Sequence, residues 1–167
     1  MNNTLPYQLE VTLDKKDIEY FLLTQYMQKL FIKILIGLAT IMALASLYFL
    51  VANQNFPPIQ GLILPLVVFV VLPLSIKSQA KKLLNSSNGQ FRNNHYTFEE
   101  EKITIQHVSG EASFTWNNIF KLEQNKKQFL LYVNNTIAHV IPKSSFQNQQ
   151  EQEQFLQLVR RKMSQKA

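Results

Sequence analysis

A long uncharged stretch constrains this chain more than any other feature. From Ile34 to Ile76 there is no Asp, Glu, Lys, Arg or His, and the stretch divides at the polar, proline-containing segment 53–58 into the apolar runs 34–52 and 59–76. An α-helix needs roughly 20 residues to cross a hydrocarbon core of about 30 Å, and each run approaches that length. We therefore predict an α+β membrane protein held by a two-helix transmembrane hairpin.

The composition of the two runs supports insertion. Each Leu, Ile, Val or Phe contributes roughly −0.3 to −0.6 kcal/mol, which gives about −3 to −6 kcal/mol for the first run and about −4 to −8 kcal/mol for the second. The alternative is a pair of buried helices in a soluble core, but a chain of 167 residues is too small to surround so long an uncharged stretch. Pro65 and Pro73 should bend the second helix, because each removes a backbone donor.

Lysines flank the hairpin, and the segment between the two runs carries no charge. By the positive-inside rule, both termini face the cytoplasm of a multi-pass protein of the cell inner membrane. The bilayer is thus the first predicted partner. The predicted contacts with the membrane surface are Lys29, Lys33, Lys77, Lys81 and Lys82.

The segments beside the hairpin have patterns of their own. In residues 7–13 apolar and polar side chains alternate, which predicts a half-buried strand. Asp14 can cap a following helix, and no breaker precedes the membrane, so residues 1–33 should form a strand and one long juxtamembrane helix. After the hairpin, helix should continue to about Leu84 and end in the loop Asn85–Gly89, within a juxtamembrane helix and linker over 77–95.

Residues 96–167 predict an antiparallel sheet covered by a C-terminal helix over Gln150–Lys162. Short polar turns separate its strands, which we place near Tyr96–Phe98, Ile103–Val108, Glu111–Trp116, Phe129–Tyr132 and Ile137–Ile141. A further hypothesis is that the strand 7–13 pairs with this sheet. In that case the hairpin interrupts the domain instead of being appended to it.

Four short motifs follow the hairpin in order: Tyr96-Thr97-Phe98, Trp116-Asn117-Asn118-Ile119, Phe129-Leu130-Leu131-Tyr132, and Ile141-Pro142-Lys143 followed by Phe146. Together with the hairpin they resemble the YcxB-like family of bacterial membrane proteins across essentially the whole chain. The resemblance implies that residues 96–167 form a cytoplasmic half-barrel of the pleckstrin-homology (PH) type with a terminal helix. It brings no catalytic residues with it.

The residues that carry catalysis or bind metals are few. The sequence has no cysteine, which excludes disulfides, thiolate catalysis and Cys-ligated metals. His95, His107 and His139 lack metal-ligand spacing, although His107 and His139 could meet across strands. Glu99-Glu100-Glu101 is typical of a solvated turn. We predict no catalytic residue, no cofactor and no metal, and hence no enzyme.

The net charge of +6 raises the question of an anionic partner. Basic residues are scattered, without the dense aromatic and basic strand motif of nucleic-acid binders, so no nucleic acid is expected. Near an anionic leaflet each basic residue can contribute roughly 1 kcal/mol of attraction. Lys126, Lys127 and Lys143 are the predicted partner or anion contacts.

Three functions are compatible with these features. The first is a membrane-anchored cytoplasmic interaction module without catalytic activity, which binds a protein partner or anionic lipid head groups. The second is an immunity-type protein that protects against a membrane-acting toxin. The third is a membrane-bound enzyme that uses His107 and His139. A homo-oligomer is also compatible with the sequence, because bent spans leave polar and small residues facing lipid.

Overall fold

The computed structural model describes residues 5–52, 58–86, 93–135 and 137–165. The chain forms two compact units: a sheet unit, Met1–Asp14 with Leu84–Ala167, and a helical unit, Lys15–Leu83. The fold is α+β, with antiparallel sheets and two long apolar helices, as the sequence predicted. Residues 53–57 of the segment between the apolar runs, and 87–89 of the predicted loop, lie outside the described residues.

The first sheet has the strand order β1-β2-β3-β4 and is antiparallel throughout. Tyr7 pairs with Phe98 and Thr12 with Asn93, which confirms that the N-terminal strand joins the later sheet. The whole helical unit is therefore inserted between two neighbouring strands. The strands are β1 (Tyr7–Thr12), β2 (Asn93–Phe98), β3 (Lys102–His107) and β4 (Gly110–Thr115).

The second sheet has the order β5-β6-β7, with β5 at Lys121–Gln124, β6 at Gln128–Tyr132 and β7 at Ala138–Pro142. Every residue of β6 is buried, in keeping with its central position. The strand β5 was not predicted, because it has one apolar residue among three polar ones and is defined by its pairing with β6. The predicted strand Glu111–Trp116 ended too late.

Trp116 instead begins a 3₁₀ turn, Trp116–Asn118, which the Asn118 side chain caps by accepting hydrogen bonds from the backbone N–H and hydroxyl of Thr115. The indole N–H of Trp116 donates to the carbonyl of Glu99 at 2.9 Å. The Trp116 side chain is buried.

The C-terminal helix α5 (Gln149–Ser164) begins at Asn148, whose side chain accepts from the N–H of Glu151 at 2.9 Å. Its buried side chains include Phe155, Leu158 and Val159, which confirms the predicted apolar face. The Phe155 ring lies 5.2 Å, centroid to centroid, from Phe98 of β2. The helix therefore closes one end of the sheet unit with aromatic side chains.

The predicted single helix from Asp14 into the bilayer is wrong. The structure has α1 (Lys15–Gln28) and α2 (Leu30–Val51), divided at Lys29, whose φ of −72° and ψ of 122° are extended. The Lys29 N–H donates to the carbonyl of Tyr26 at 3.1 Å, and its ammonium lies 5.3 Å from the centre of the Tyr26 ring. Neither proline nor glycine marks this break, so the sequence pattern alone did not predict it.

The second apolar helix consists of α3 (Pro58–Leu66), a π-helical turn at Val67–Val71, and α4 (Leu72–Ser86). In the π turn the Leu72 N–H donates to the carbonyl of Val67. Pro73, just after the turn, has no N–H to continue the regular hydrogen-bond ladder, and π turns commonly accommodate such a defect. The regular helix is thus interrupted between Pro65 and Pro73, where the sequence predicted a bend.

Two helical stretches are long and apolar enough to cross a membrane, Leu30–Val51 with 22 residues and Gly61–Asn85 with 25. Only 11% and 22% of their most apolar windows are buried in the structure. A core helix of a soluble protein would be buried over most of its length. Small residues such as Ala39 and Ser46 are among the buried positions of α2, where they permit close helix packing.

Candidate functional site

A basic groove of about 440 Å³ lies between α5 and the second sheet. Two of the predicted contact residues, Lys126 from the β5–β6 turn and Lys143 from the segment after β7, line it together. The groove therefore brings into one site two lysines that are separate in sequence. Its other described lining residues are Gln124, Phe129, Gln149, Gln152, Glu153 and Leu156.

The backbone of Lys143 is fixed from two sides. Its N–H donates to the carbonyl of Lys127 at 2.7 Å, and its own carbonyl accepts from the side-chain amide of Gln152 on α5 at 3.0 Å. The ammonium lies 5.1 Å from the centre of the Phe129 ring, within range of a cation–π interaction. This lysine is therefore held at the groove by its surroundings before any partner binds.

Lys126 stands on a turn that is fixed by Asn125. The Asn125 carboxamide oxygen accepts from the N–H of Lys127 at 2.9 Å and of Gln128 at 2.8 Å, which is the pattern of an Asx turn. The third predicted contact, Lys127, is not among the described residues that line the groove, although its carbonyl holds Lys143. Lys126 and Lys143 thus line the groove, whereas Lys127 supports the backbone of Lys143.

The α5 wall of the groove contacts the start of β1. Glu151 of α5 accepts a hydrogen bond from the Tyr7 hydroxyl at 2.9 Å, and the Tyr7 ring lies 6.0 Å from that of Phe155. Burial, then the hydrogen bond to Glu151, raises the pKa of the Tyr7 phenol above its ordinary value. The N-terminal strand is therefore tied to the helix that forms one wall of the groove.

The five lysines predicted at the membrane surface are all exposed: Lys29, Lys33, Lys77, Lys81 and Lys82. Within the helical unit, the side-chain amide of Gln79 donates to the Tyr26 hydroxyl at 3.4 Å. This contact brings the end of α1 beside α4. The lysines before the first apolar helix and those after the second consequently lie at the same end of that unit.

A separate cavity of about 200 Å³ opens between the two sheets, at the end where β1 leads into the helical unit. His107 and His139 both line it. The Oγ of Ser109 lies 2.9 Å from Nδ1 of His107. The His139 ring stacks on Phe114 with centroids 5.0 Å apart and lies edge-on to Tyr96 at 6.1 Å.

Burial affects the protonation of two groups at this cavity. Desolvation lowers the pKa of the His139 imidazole from its ordinary value of 6.5 and raises the pKa of the Tyr96 phenol. At neutral pH both side chains are therefore uncharged. Within the described part of the chain, no group of three or more His, Asp or Glu could hold a metal ion.

One comparison with known proteins gives a match. The YcxB-like protein family model matches residues 98–159. The predicted resemblance is confirmed over this stretch, which runs from the end of β2 into α5 and covers less than half of the chain. Searches of the curated proteins and of the solved structures give no match.

The residues behind the resemblance are mostly structural. Phe98, Phe129, Leu131 and Ile141 are buried in the sheet unit, whereas Lys143 lines the groove. The polar residues of both sites were not predicted, namely Gln124, Gln149 and Gln152 in the groove and Asn94 in the cavity. The glutamine-rich start of α5 was the available signal for the groove, and nothing local distinguishes Asn94 from an ordinary strand residue.

Proposed function

We propose that this protein is a membrane-anchored interaction module whose cytoplasmic, PH-like domain binds an acidic segment of a protein partner in the groove of Lys126 and Lys143. The observation that carries the proposal is the convergence of these two lysines on one groove. The two apolar helices would anchor the domain, and no catalytic step is part of the proposal.

The low burial of the two apolar helices supports the membrane anchor. Large apolar side chains such as Leu38, Leu44 and Leu47 are exposed on α2, and a lipid environment would cover them. The exposed lysines at one end of the helical unit fit the cytoplasmic side by the positive-inside rule. The cell inner membrane, with both termini in the cytoplasm, follows as the proposed location.

The natural absence of cysteine makes the topology directly testable. A single cysteine at Asn55, between the apolar runs, should react with a membrane-impermeant maleimide in intact cells. A single cysteine at Ser164 should react only after the membrane is permeabilised. Equal labelling of both positions in intact cells would contradict the proposed topology.

The strand arrangement supports the PH-like description. Four antiparallel strands are followed by three more and then by a C-terminal helix. In this arrangement the groove uses one wall of α5 and one edge of the second sheet. A partner can therefore bind without entering the core.

The chemistry of the groove favours an acidic peptide. Lys126 and Lys143 bring two positive charges against one carboxylate, Glu153, which also accepts from Gln149 at 3.1 Å. Side-chain amides can pair with a peptide backbone, and Leu156 offers a small apolar contact. An extended segment with two acidic residues and one apolar residue fits this combination.

A protein partner is favoured over lipid head groups by the lining of the groove. Beside the two lysines the groove presents neutral side-chain amides and the apolar side chain of Leu156. A head group would leave Leu156 unused, whereas a peptide segment can pair its backbone with the amides and place an apolar side chain against Leu156.

The test uses the full chain in detergent and a fluorescent acidic peptide that contains two glutamates and one leucine. The double variant Lys126→Glu/Lys143→Glu should weaken peptide binding by about 10- to 100-fold, because it places like charges against the peptide. The control Arg160→Glu/Arg161→Glu makes the same change in net charge at exposed positions of α5 outside the described groove lining. It should leave binding nearly unchanged.

Two outcomes would overturn the proposal. Equal weakening by both double variants would mean that only net charge matters. Binding to anionic nanodiscs that depends on Lys126 and Lys143, with no binding of the acidic peptide, would assign the groove to lipid instead. The immunity-type function and the membrane-bound enzyme stay predictions from the sequence.

A further inference from the structure

We propose that the cavity between the two sheets is a second binding site, which takes a small, neutral aromatic molecule carrying one N–H or O–H donor. This cavity lies at the end of the first sheet opposite the aromatic side chains under α5. It uses none of the residues that line the groove. The proposal is therefore independent of the proposed function.

The strand register explains why space remains at this end. Ile105 of β3 pairs with Ala112 of β4, and Ala138 begins β7 on the opposite sheet. Both alanines line the cavity, at positions where larger side chains would reach into it. At the other end, phenylalanines fill the corresponding space between the sheets.

An unpaired polar atom indicates what the cavity would bind. Asn94 is only 7% exposed and lines the cavity, and its carboxamide oxygen has no hydrogen-bond partner among the described residues. A buried acceptor without a donor costs free energy comparable to a lost hydrogen bond. A ligand N–H or O–H directed at this oxygen would remove that cost.

The remaining walls favour a neutral, mainly apolar ligand. Leu13, Ile105 and Val140 contribute aliphatic surface, and Tyr96 and His139 contribute rings. No carboxylate, ammonium or guanidinium group is among the described residues of this lining. A charged ligand would lose its hydration without gaining a counter-charge.

The size of the cavity limits the ligand to about one or two rings. An apolar cavity of about 150 Å³ accepts benzene in another protein, and the cavity here is about 200 Å³. A six-membered ring with one hydroxyl group can therefore contact both sheets and reach Asn94. Phenol is the simplest probe of this class, and toluene is a probe of similar size without the donor.

The test is a titration of the full chain in detergent micelles, observed through labelled isoleucine and valine methyl groups. Phenol should produce saturable shifts at Ile105 and Val140, which line the cavity. Ile103 and Ile119 are fully buried elsewhere and should not respond. The absence of saturable shifts at Ile105 and Val140, or equal shifts at all four residues, would overturn the proposal.

Two variants distinguish the contribution of the Asn94 hydrogen bond from that of the cavity volume. Asn94→Leu should weaken phenol about fivefold, the equivalent of one hydrogen bond, and should leave toluene unweakened. Ala112→Leu should abolish the binding of both probes by filling the cavity. Equal loss of phenol and toluene in Asn94→Leu would refute the role of Asn94.

The fold of each variant can be checked by the near-ultraviolet circular dichroism of Trp116, the only tryptophan, which does not line the cavity. If Asn94→Leu lacks the native circular dichroism band of Trp116, this variant is misfolded, and probe binding by Ala112→Leu tests the proposal instead. Phenol binding that persists in a natively folded Ala112→Leu would then contradict it.

Discussion

One end of the space between the two sheets is filled by the rings of Phe98, Phe129, Phe146 and Phe155, whereas the other end is lined by alanines, histidines and an asparagine. Neighbouring rings at the filled end have centroids 5.2 to 5.7 Å apart. The open end leaves a cavity of about 200 Å³. The same pair of sheets thus has one end suited to stability and another suited to binding.

This difference predicts where substitutions should reduce the stability of the fold most. Aromatic residues at the filled end bury large areas and touch several elements, so their loss leaves a void that the fold cannot collapse. At the open end a void already exists, and side chains there have fewer contacts to lose. Four predictions, in decreasing order of effect, test this contrast.

Phe155→Ala should cost about 3–5 kcal/mol of unfolding free energy, because the ring contacts Phe98, Phe129 and Phe146. Leu13→Ala at the open end should cost about 2 kcal/mol, the lower limit for such truncations. Urea unfolding monitored by Trp116 fluorescence measures both. Equal losses of unfolding free energy would contradict the proposed difference between the two ends.

Lys162→Met should cost about 1.5–3 kcal/mol, the value of a hydrogen bond to a charged group. The Lys162 side chain is 7% exposed, and its ammonium donates to the Glu100 carbonyl at 3.1 Å and pairs with the Glu100 carboxylate. The Glu100 side chain is 74% exposed, so its charge stays hydrated after the substitution. The same unfolding assay measures the loss.

Lys102→Met is the matched control, since Lys102 pairs with Glu99 of the same turn at 3.6 Å with both side chains exposed. Exposed pairs contribute about 0–1 kcal/mol. A loss for Lys102→Met as large as that for Lys162→Met would mean that burial of the ammonium is irrelevant. The filled end would then depend less on α5 than the structure indicates.

Ala112→Leu should raise the unfolding free energy by about 0.5–2 kcal/mol, because it fills existing space at the open end. Val159→Leu is the comparison at a fully buried position of α5, where an added methylene should destabilise by about 1–3 kcal/mol. Thermal unfolding gives the sign of each change. Destabilisation by both substitutions would show that the open end is already filled.

The smallest effect is a pH dependence at the open end. The folded-state pKa of His139 lies below the ordinary 6.5, because burial disfavours the imidazolium. Below pH 6.5 the unfolded state therefore binds the proton more readily, and the unfolding free energy falls until the pH passes the folded-state pKa. His139→Phe should remove this part of the dependence.

His107 shares the cavity with His139 and serves as the control. His107→Phe should retain the loss of stability on acidification, measured by urea unfolding at pH 5.5 and 7.5. If His139→Phe retains the full loss as well, another group is responsible.

The sequence predicted the elements whose patterns are local. Two uncharged runs predicted two long apolar helices, and alternation in residues 7–13 predicted β1. The strand β5 was missed because it is defined by its pairing with β6, and the break at Lys29 was missed because no proline or glycine marks it. Only the lysines of the groove were predicted, because a positive charge in the sequence suggests an anion contact, whereas a neutral glutamine carries no such signal.

The pairing of Thr12 with Asn93 also has a consequence for synthesis. The two residues are 81 positions apart, so at about 5–20 residues per second β1 waits roughly 4–16 s for its partner strand. During this time the two apolar helices must be made and brought together. A copy in which they fail to meet leaves β2 with an open edge and Val11 uncovered, which is the kind of surface that chaperones and proteases detect. The first strand made thus stays unpaired until both apolar helices have been synthesised.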